Sequence, residues 1–384
     1  AGVIGERAGK NRMTGLKDIH QILRDPVAYG RRLKAEGRRV VGYFCSYTPE
    51  EIIHAAGAHP FRLFGTDEAI HLADAHLQAY CCSLVRGALE EALAGRLDFL
   101  DGAVFPHTCD SIQRLSDVWR MNVEGPFHLD VVLPVKLEGE SARVYMTDVL
   151  QRFRMDLEAR LGVTISKEAL KEAVGTFSRI RRYLGRLYDI KSEDPGLISG
   201  SDFHAIVKSS MIVDRGRLLE ILPGIVEDLE KRKGQGRVPG GKRLVLAGGL
   251  CNHPDVYRLV EGAGGVVVGD DLCTGSRYFE GIVEGKDDPV ASIAGRYRTR
   301  PPCPAKHAGL FTRAGRLVDI VREREARGVV FMLLKFCDPH AFDYPCLKET
   351  LDREGIPSLL LEVEDRLPSE GQFLTRLETF IEML

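Results

Sequence analysis

The chain has 384 residues, 44% of them hydrophobic, with a formal net charge of -2 and a pI near 6.7. That suits two or three globular domains, since a domain usually takes roughly 100–200 residues. It excludes the basic footprint of a nucleic-acid binder, and no apolar run approaches the ~18 residues of a membrane span.

Residues Ala1–Lys10 carry no apolar stretch of the secretory type and read as a processed or appended end. A cytoplasmic protein is expected. An amphipathic helical lead-in follows, Leu16–Arg39. Val40–Phe44 reads as a strand and Pro49–Gly57 as a helix, with Pro at its start and Gly at its end. Glu50 and Glu51 fall in its first turn, where dipole complementarity explains them. Then come strand Pro60–Phe64, a helix from Cys81 to Ala94, strand Gly102–Pro106, a helix opening near Cys109, and strand Phe127–Pro134. Strands alternating with helices predict a parallel sheet covered on both faces.

From Ser141 to about Lys233 the period becomes helical, as in Leu150–Leu161 and Leu170–Asp189. Lys231–Lys242 is Gly-rich and basic, a linker or exposed loop. A second alternating stretch follows: strand Arg243–Gly249, helix Pro254–Gly262, strand Gly265–Asp271, helix His307–Arg327, strand Gly328–Leu334, a helix from Pro339, strand Pro357–Glu362 and a C-terminal helix. The predicted class is α/β: two Rossmann- or flavodoxin-like parallel-sheet domains (40–140 and 241–384), a helical lead-in (1–39) and a helical bridge (141–240).

Nine cysteines are present, an odd number unsuited to a disulfide framework. Cys45, Cys109 and Cys337 each follow a predicted strand, where open α/β sheets bind ligands. Cys81 and Cys82 open a helix, and helix N-termini favour thiolate. Thiolates from both domains are expected to converge between them. A soft all-sulfur site selects zinc, copper or an iron–sulfur cluster. The tight C-x-x-C pairs of structural zinc and of ferredoxins are absent. The string Gly236-x-x-x-x-Gly241-Lys242 is not a phosphate loop, because Arg243 replaces the magnesium-binding Ser or Thr and a strand follows rather than precedes it. No nucleotide is expected on this chain.

The segments GYFCSYTPEEIIHAAG (Gly42–Gly57), CSLVRGALE (Cys82–Glu90), HTCDSIQR (His107–Arg114), GDDLCTGSRYF (Gly269–Phe279), PPCP (Pro301–Pro304) and KFCDPHAFDYP (Lys335–Pro345) resemble, in order, those of the 2-hydroxyacyl-CoA dehydratase and benzoyl-CoA reductase superfamily. The resemblance implies a [4Fe–4S] cluster on three cysteines, which by motif fall at Cys82, Cys109 and Cys337. The sequence departs from that pattern by adding Cys81 and Cys346. With Cys45 these make six thiols, Cys303 being the reserve, and two cubanes need three each. The chain is thus similar to the double-cubane branch. That branch implies a homodimer carrying an [8Fe–9S] cluster, with low-potential electrons from a separate ATP-hydrolysing iron–sulfur activator passing to a small-molecule substrate. The alternatives are a single-cubane subunit of a dehydratase (a lyase) or aryl-CoA reductase, and a non-catalytic electron carrier.

Cys251 and Cys273 are expected not to ligate. Asp270 and Asp271, beside Cys273, are expected to repel an anionic cluster. His107 and His340 are the candidate proton donors, and Arg277 the candidate substrate anchor. Trp119 is read either as core or as part of a docking face.

Overall fold

The computed structural model describes residues 15–66, 68–236, 240–249, 256–283, 287–309, 311–364 and 370–384. A helix over 15–24 (α1) leads into α2 (Pro26–Ala35), which Asp25 caps with Pro26 in the first turn. The first sheet comprises β1 (Arg39–Tyr43), β2 (Ala58–Arg62), β3 (Gly102–Pro106) and β4 (Phe127–Val131), crossed over by α3 (Glu50–Ala55), α4 (Ser83–Leu93) and α5 (Asp110–Asn122). The bridge holds α6 (Glu140–Leu161), α7 (Lys167–Glu193), α8 (Gly200–Ser209) and α9 (Arg215–Lys231). The second sheet comprises β5 (Lys242–Gly248), β6 (Gly265–Asp271), β7 (Gly328–Leu334) and β8 (Ser358–Val363). Its helices are α10 (Val256–Gly262), α11 (Ser276–Phe279), α12 (Pro289–Thr299), α13 (Thr312–Glu323), α14 (Asp338–Arg353) and α15 (Glu370–Glu382).

Every strand pair is parallel, in the orders β2-β1-β3-β4 and β6-β5-β7-β8. The central strands are buried along nearly their whole length, as apolar runs such as GVVFMLL require when helices cover both faces. In each sheet the chain reverses its direction of winding between the first and third strands. That switch point opens a crevice at the carboxyl edge, between β1 and β3 in one sheet and between β5 and β7 in the other.

Two features absent from the sequence reading bring the halves together. Helix α7 touches both: Arg181 pairs with Glu51 of α3, and the Tyr188 hydroxyl donates to Asp270 of β6. The described residues after β6, 273–283 and 287–307, fold back over the first sheet. Arg62 donates to the Cys273 carbonyl, Tyr278 to Glu50, Tyr297 to the Thr48 carbonyl, and Lys306 to the Leu133 carbonyl. Val283, Val290, Ile293 and Tyr297 complete the core above β1 and β4. Glu50 and Glu51 are therefore not the surface dipole complements expected. Both are buried, Glu50 at 2.7 Å from Arg215 and also accepting from Tyr43.

Among the described residues no helix is long and apolar enough to cross a membrane. Trp119 packs in the core against Phe44 and Phe105, which removes it from any docking face. Gly241 leads directly into β5, so the Gly-rich string does precede a strand, although 237–239 lie outside the described residues.

Candidate functional site

Cys82, Cys109 and Cys337 occupy the same local position, the N-cap, on α4, α5 and α14. An N-cap side chain normally accepts from the helix's free amides. None of the three sulfurs closes such a bond, so their lone pairs are not consumed by capping. The amides of Val85, Ile112 and His340, third in each helix, still favour the thiolate. Burial outweighs them: it pushes the Cys82 thiol up to about 11 and the Cys109 thiol to about 12, and holds Cys337 well above its ordinary value.

The smaller contributions locate these thiols relative to one another. Cys82, Cys45 and Cys303 each raise Cys109, while Cys82, Cys109 and Cys303 raise Cys337. Charges act this way only when close in a weakly polar medium. Thiols from both sheets thus lie near enough to perturb one another at the carboxyl edges. Phe336, at φ 64, turns the chain sharply from β7 into α14 and presents Cys337 there.

Cys45 and Cys303 border this pocket on the side of Tyr47 and Lys306, whose protonation both thiols influence. Arg300 stacks 3.9 Å above the Tyr47 ring, and Lys306 lies 5.5 Å from the same centroid. Both cations are buried, and no ion pair reaches either among the described residues. The sequence reading missed them. The only signal was Arg300 and Lys306 flanking the quoted PPCP block.

Cys81 is buried beside Cys82, its sulfur 3.9 Å from Gln78 Oε1. Cys346 lies elsewhere. It stands nine residues past the N-cap of α14, about 13 Å along the axis, and the charges acting on it are Asp343, Glu349 and Arg353. Cys273 lies against Arg62, and Cys251 is outside the described residues. Among the described residues no three His, Cys, Asp or Glu side chains close on one point as they would round a single ion. A cubane spreads its thiolates over separate irons, so that criterion does not describe it. Three soft sulfurs that close no helix cap suit such a donor set.

Of the two candidate histidines, His107 is bound 2.8 Å from Asp130, an oxygen shared with Ser116. His340 is buried in the pocket wall, Nδ1 at 3.3 Å from the Cys337 sulfur and Nε2 at 3.2 Å from Arg277. Arg277 is not on the surface. It is buried, 3.3 Å from Asp271, and donates to the Gly248 carbonyl. Asp271 also meets Arg313 at 2.8 Å, and Arg313 reaches Asp343 of α14 at the same distance. The expected repulsion by Asp270 and Asp271 does not arise. Asp271 lies between two guanidiniums, which hold its carboxyl below the usual range despite burial. Burial raises the Asp270 carboxyl, which accepts from Tyr188, Tyr257 and the Ser276 amide.

Residues 45–384 match the family described as 2-hydroxyglutaryl-CoA dehydratase, D-component. The chain is 26% identical to the (R)-phenyllactyl-CoA dehydratase beta subunit of Clostridium sporogenes, covering 96% of this chain and 98% of the relative. It is 26% identical to a benzoyl-CoA reductase subunit of Thauera aromatica, over 83% and 84% of the two chains. It is 24% identical to (R)-2-hydroxyglutaryl-CoA dehydratase subunit beta of Acidaminococcus fermentans, over 96% and 98%.

Proposed function

The chain belongs to the 2-hydroxyglutaryl-CoA dehydratase D-component family, and from that membership we propose that it is the cluster-bearing subunit of an enzyme of the 2-hydroxyacyl-CoA dehydratase or benzoyl-CoA reductase type. Cys82, Cys109 and Cys337 hold a [4Fe–4S] cluster, which supplies one-electron chemistry when bound. A separate ATP-hydrolysing iron–sulfur activator delivers the electron, the arrangement the family resemblance implies. The observation that carries the reading is the shared position of Cys82, Cys109 and Cys337, each at the N-cap of a helix that follows a strand or loop at the carboxyl edges and near enough to perturb its fellows.

The chain's own residues supply the setting. Cys82 is buried, and Cys109 and Cys337 are partly buried. Arg300 and Lys306 give one wall a positive field, which favours anionic contents. Tyr80 and Phe336, next in sequence to Cys81 and Cys337, are exposed.

A second reading, the [8Fe–9S] double cubane in a homodimer, is favoured by Cys81, which raises Cys82, and by Cys45 and Cys303, which raise Cys109. Cys303 serves it better than Cys346, which lies along α14.

Oxygen-free purification followed by iron and sulfide analysis tests both. The single cubane requires about four irons per chain and the double cubane about eight. Cys82→Ala, Cys109→Ala and Cys337→Ala should each lose most of the iron, while Cys346→Ala keeps it. A colourless wild-type protein, or full iron in all three variants, overturns the proposal.

A further inference from the structure

We infer that Arg300, Lys306 and Tyr47 form a subsite for a small carboxylate beside Cys45 and Cys303. That the bound acid group anchors a substrate next to a metal centre rests on the function proposed above; the anion site itself does not.

What gathers here is a surplus of donors. Arg300 and Lys306 are 3% and 4% exposed, and no ion pair reaches either among the described residues. A guanidinium and an ammonium can only donate. Arg300 makes two contacts, both long at 3.4 Å, to the Arg277 carbonyl and the Ser46 hydroxyl, and its Nε–H makes none. Lys306 donates to the Leu133 carbonyl at 3.0 Å. The Tyr47 hydroxyl is fully buried and closes no hydrogen bond among the described residues, and the Cys303 amide that acts on it is another donor. Tyr297 makes the contrast, its hydroxyl being spent on the Thr48 carbonyl at 2.7 Å. Buried donors left open cost free energy, and buried cations without a partner cost more. The component that completes this set is an acceptor with negative charge.

The packing keeps these groups together. Arg300 Cζ lies 3.9 Å from the Tyr47 ring centroid and 4.9 Å from that of Tyr297, and the two centroids are 5.6 Å apart, so the guanidinium is lodged in the corner between the rings. Lys306 Nζ lies 5.5 Å from the Tyr47 centroid, near enough for Arg300 to act on it. Positive charge is in excess beyond these two. Buried Arg296 is pushed down to about 9 by burial, Arg181 and Arg300, while Glu51, the acid acting against them, is already paired with Arg181. Cys45 and Cys303, which act on both Tyr47 and Lys306, are partly exposed, so solvent reaches the neighbourhood. The charges that chiefly act on Cys82, Cys109 and Cys337 are other cysteines and, for Cys82, Asp338. Neither cation is among them, which sets the subsite apart from those three sulfurs. Arg277, the anchor expected from sequence, is neutralised by Asp271, whereas Arg300 has no such partner.

A carboxylate suits the donors. Its two oxygens accept about four hydrogen bonds, and it meets an Arg edge with both. Its single charge costs less to bring into so closed a site than the double charge of a phosphate.

Calorimetric titration of the full chain with sodium propionate, against sodium chloride at equal ionic strength, measures the site in metal-free and in iron-loaded protein. Propionate should bind both forms. Tyr47→Phe removes no hydrogen bond within the protein, so its fold should be kept, which circular dichroism checks. That variant and Lys306→Met should each weaken propionate about tenfold. Lys335→Met, which removes an exposed lysine paired with Glu364, should leave the affinity unchanged. No binding above chloride, equal affinity in wild type, Tyr47→Phe and Lys306→Met, or tighter binding of inorganic phosphate than of propionate overturns the inference. Loss of binding on iron loading overturns it too, because the cations then serve the metal centre itself. A wild type that takes up no iron counts against the proposed function, and the metal-free titration still decides the subsite.

Discussion

The pocket residues are governed by burial set against a few well-aimed dipoles. Cys82, Cys109 and Cys337 share a cap position, yet their thiols sit high because desolvation outweighs the helix amides. The same rule acts at His59, buried with Nε2 donating to the Ile212 carbonyl at 2.7 Å. Burial and Arg215 lower its value from 6.5 to about 3. Between these limits the unfolded chain binds a proton that the folded chain refuses, so stability falls as pH falls. Urea unfolding at pH 6.5 and pH 5 should show a loss of about 2 kcal/mol from this residue. His59→Gln keeps a donor at the Nε2 position without titrating there, and should remove that part of the slope. An unchanged slope would show that His59 is not the source. Position in a motif made the thiols legible from sequence. Of the charges around them only Arg277, inside a quoted block, was; Arg300 and Arg313 lie outside every such block.

At the scale of elements, short helices are held by what they bury. Helix α3 has six residues, and isolated helices below ~12–15 residues are marginal in water. Its two glutamates meet Arg215 of α9 and Arg181 of α7, both fully buried pairs. Such pairs are weak evidence for stability, but breaking one leaves an uncompensated charge. Arg215→Met should cost about 3–5 kcal/mol in denaturant unfolding. Adding Glu50→Gln should recover part of that loss, and strict additivity would argue that the two groups do not communicate. From sequence, Glu50 and Glu51 looked like ordinary first-turn acids. Their partners lie 165 and 130 residues away, beyond any periodicity. Helix α12 was likewise unseen, though Asp288 and Pro289 are sound start signals. It was passed over because the stretch after β6 read as a connection.

For the whole molecule, two sheets of identical strand order behave as one body. One apolar cluster contains Val40 and Phe61 of the first sheet together with Leu244 and Val330 of the second, and the bridge fills the space between them. Unfolding should therefore be a single transition. Trp119, the only tryptophan, is buried in the first half and reports on it alone. Its fluorescence and the far-ultraviolet circular dichroism of the whole chain should give the same denaturant midpoint. Separate midpoints would show that the halves unfold independently.

Strand and helix alternation, the buried apolar runs and the cysteines at strand ends were all written in the sequence. Each depends on local period or on the fixed geometry of a strand-to-helix turn. Tertiary structure alone decided that thiols from the two sheets come near one another, that Cys346 stands apart along its helix, and that residues 273–283 and 287–307 return to roof the first sheet. Those outcomes depend on charges and surfaces meeting across more than a hundred residues, where burial sets the strength of each contact and no repeat in the chain announces it.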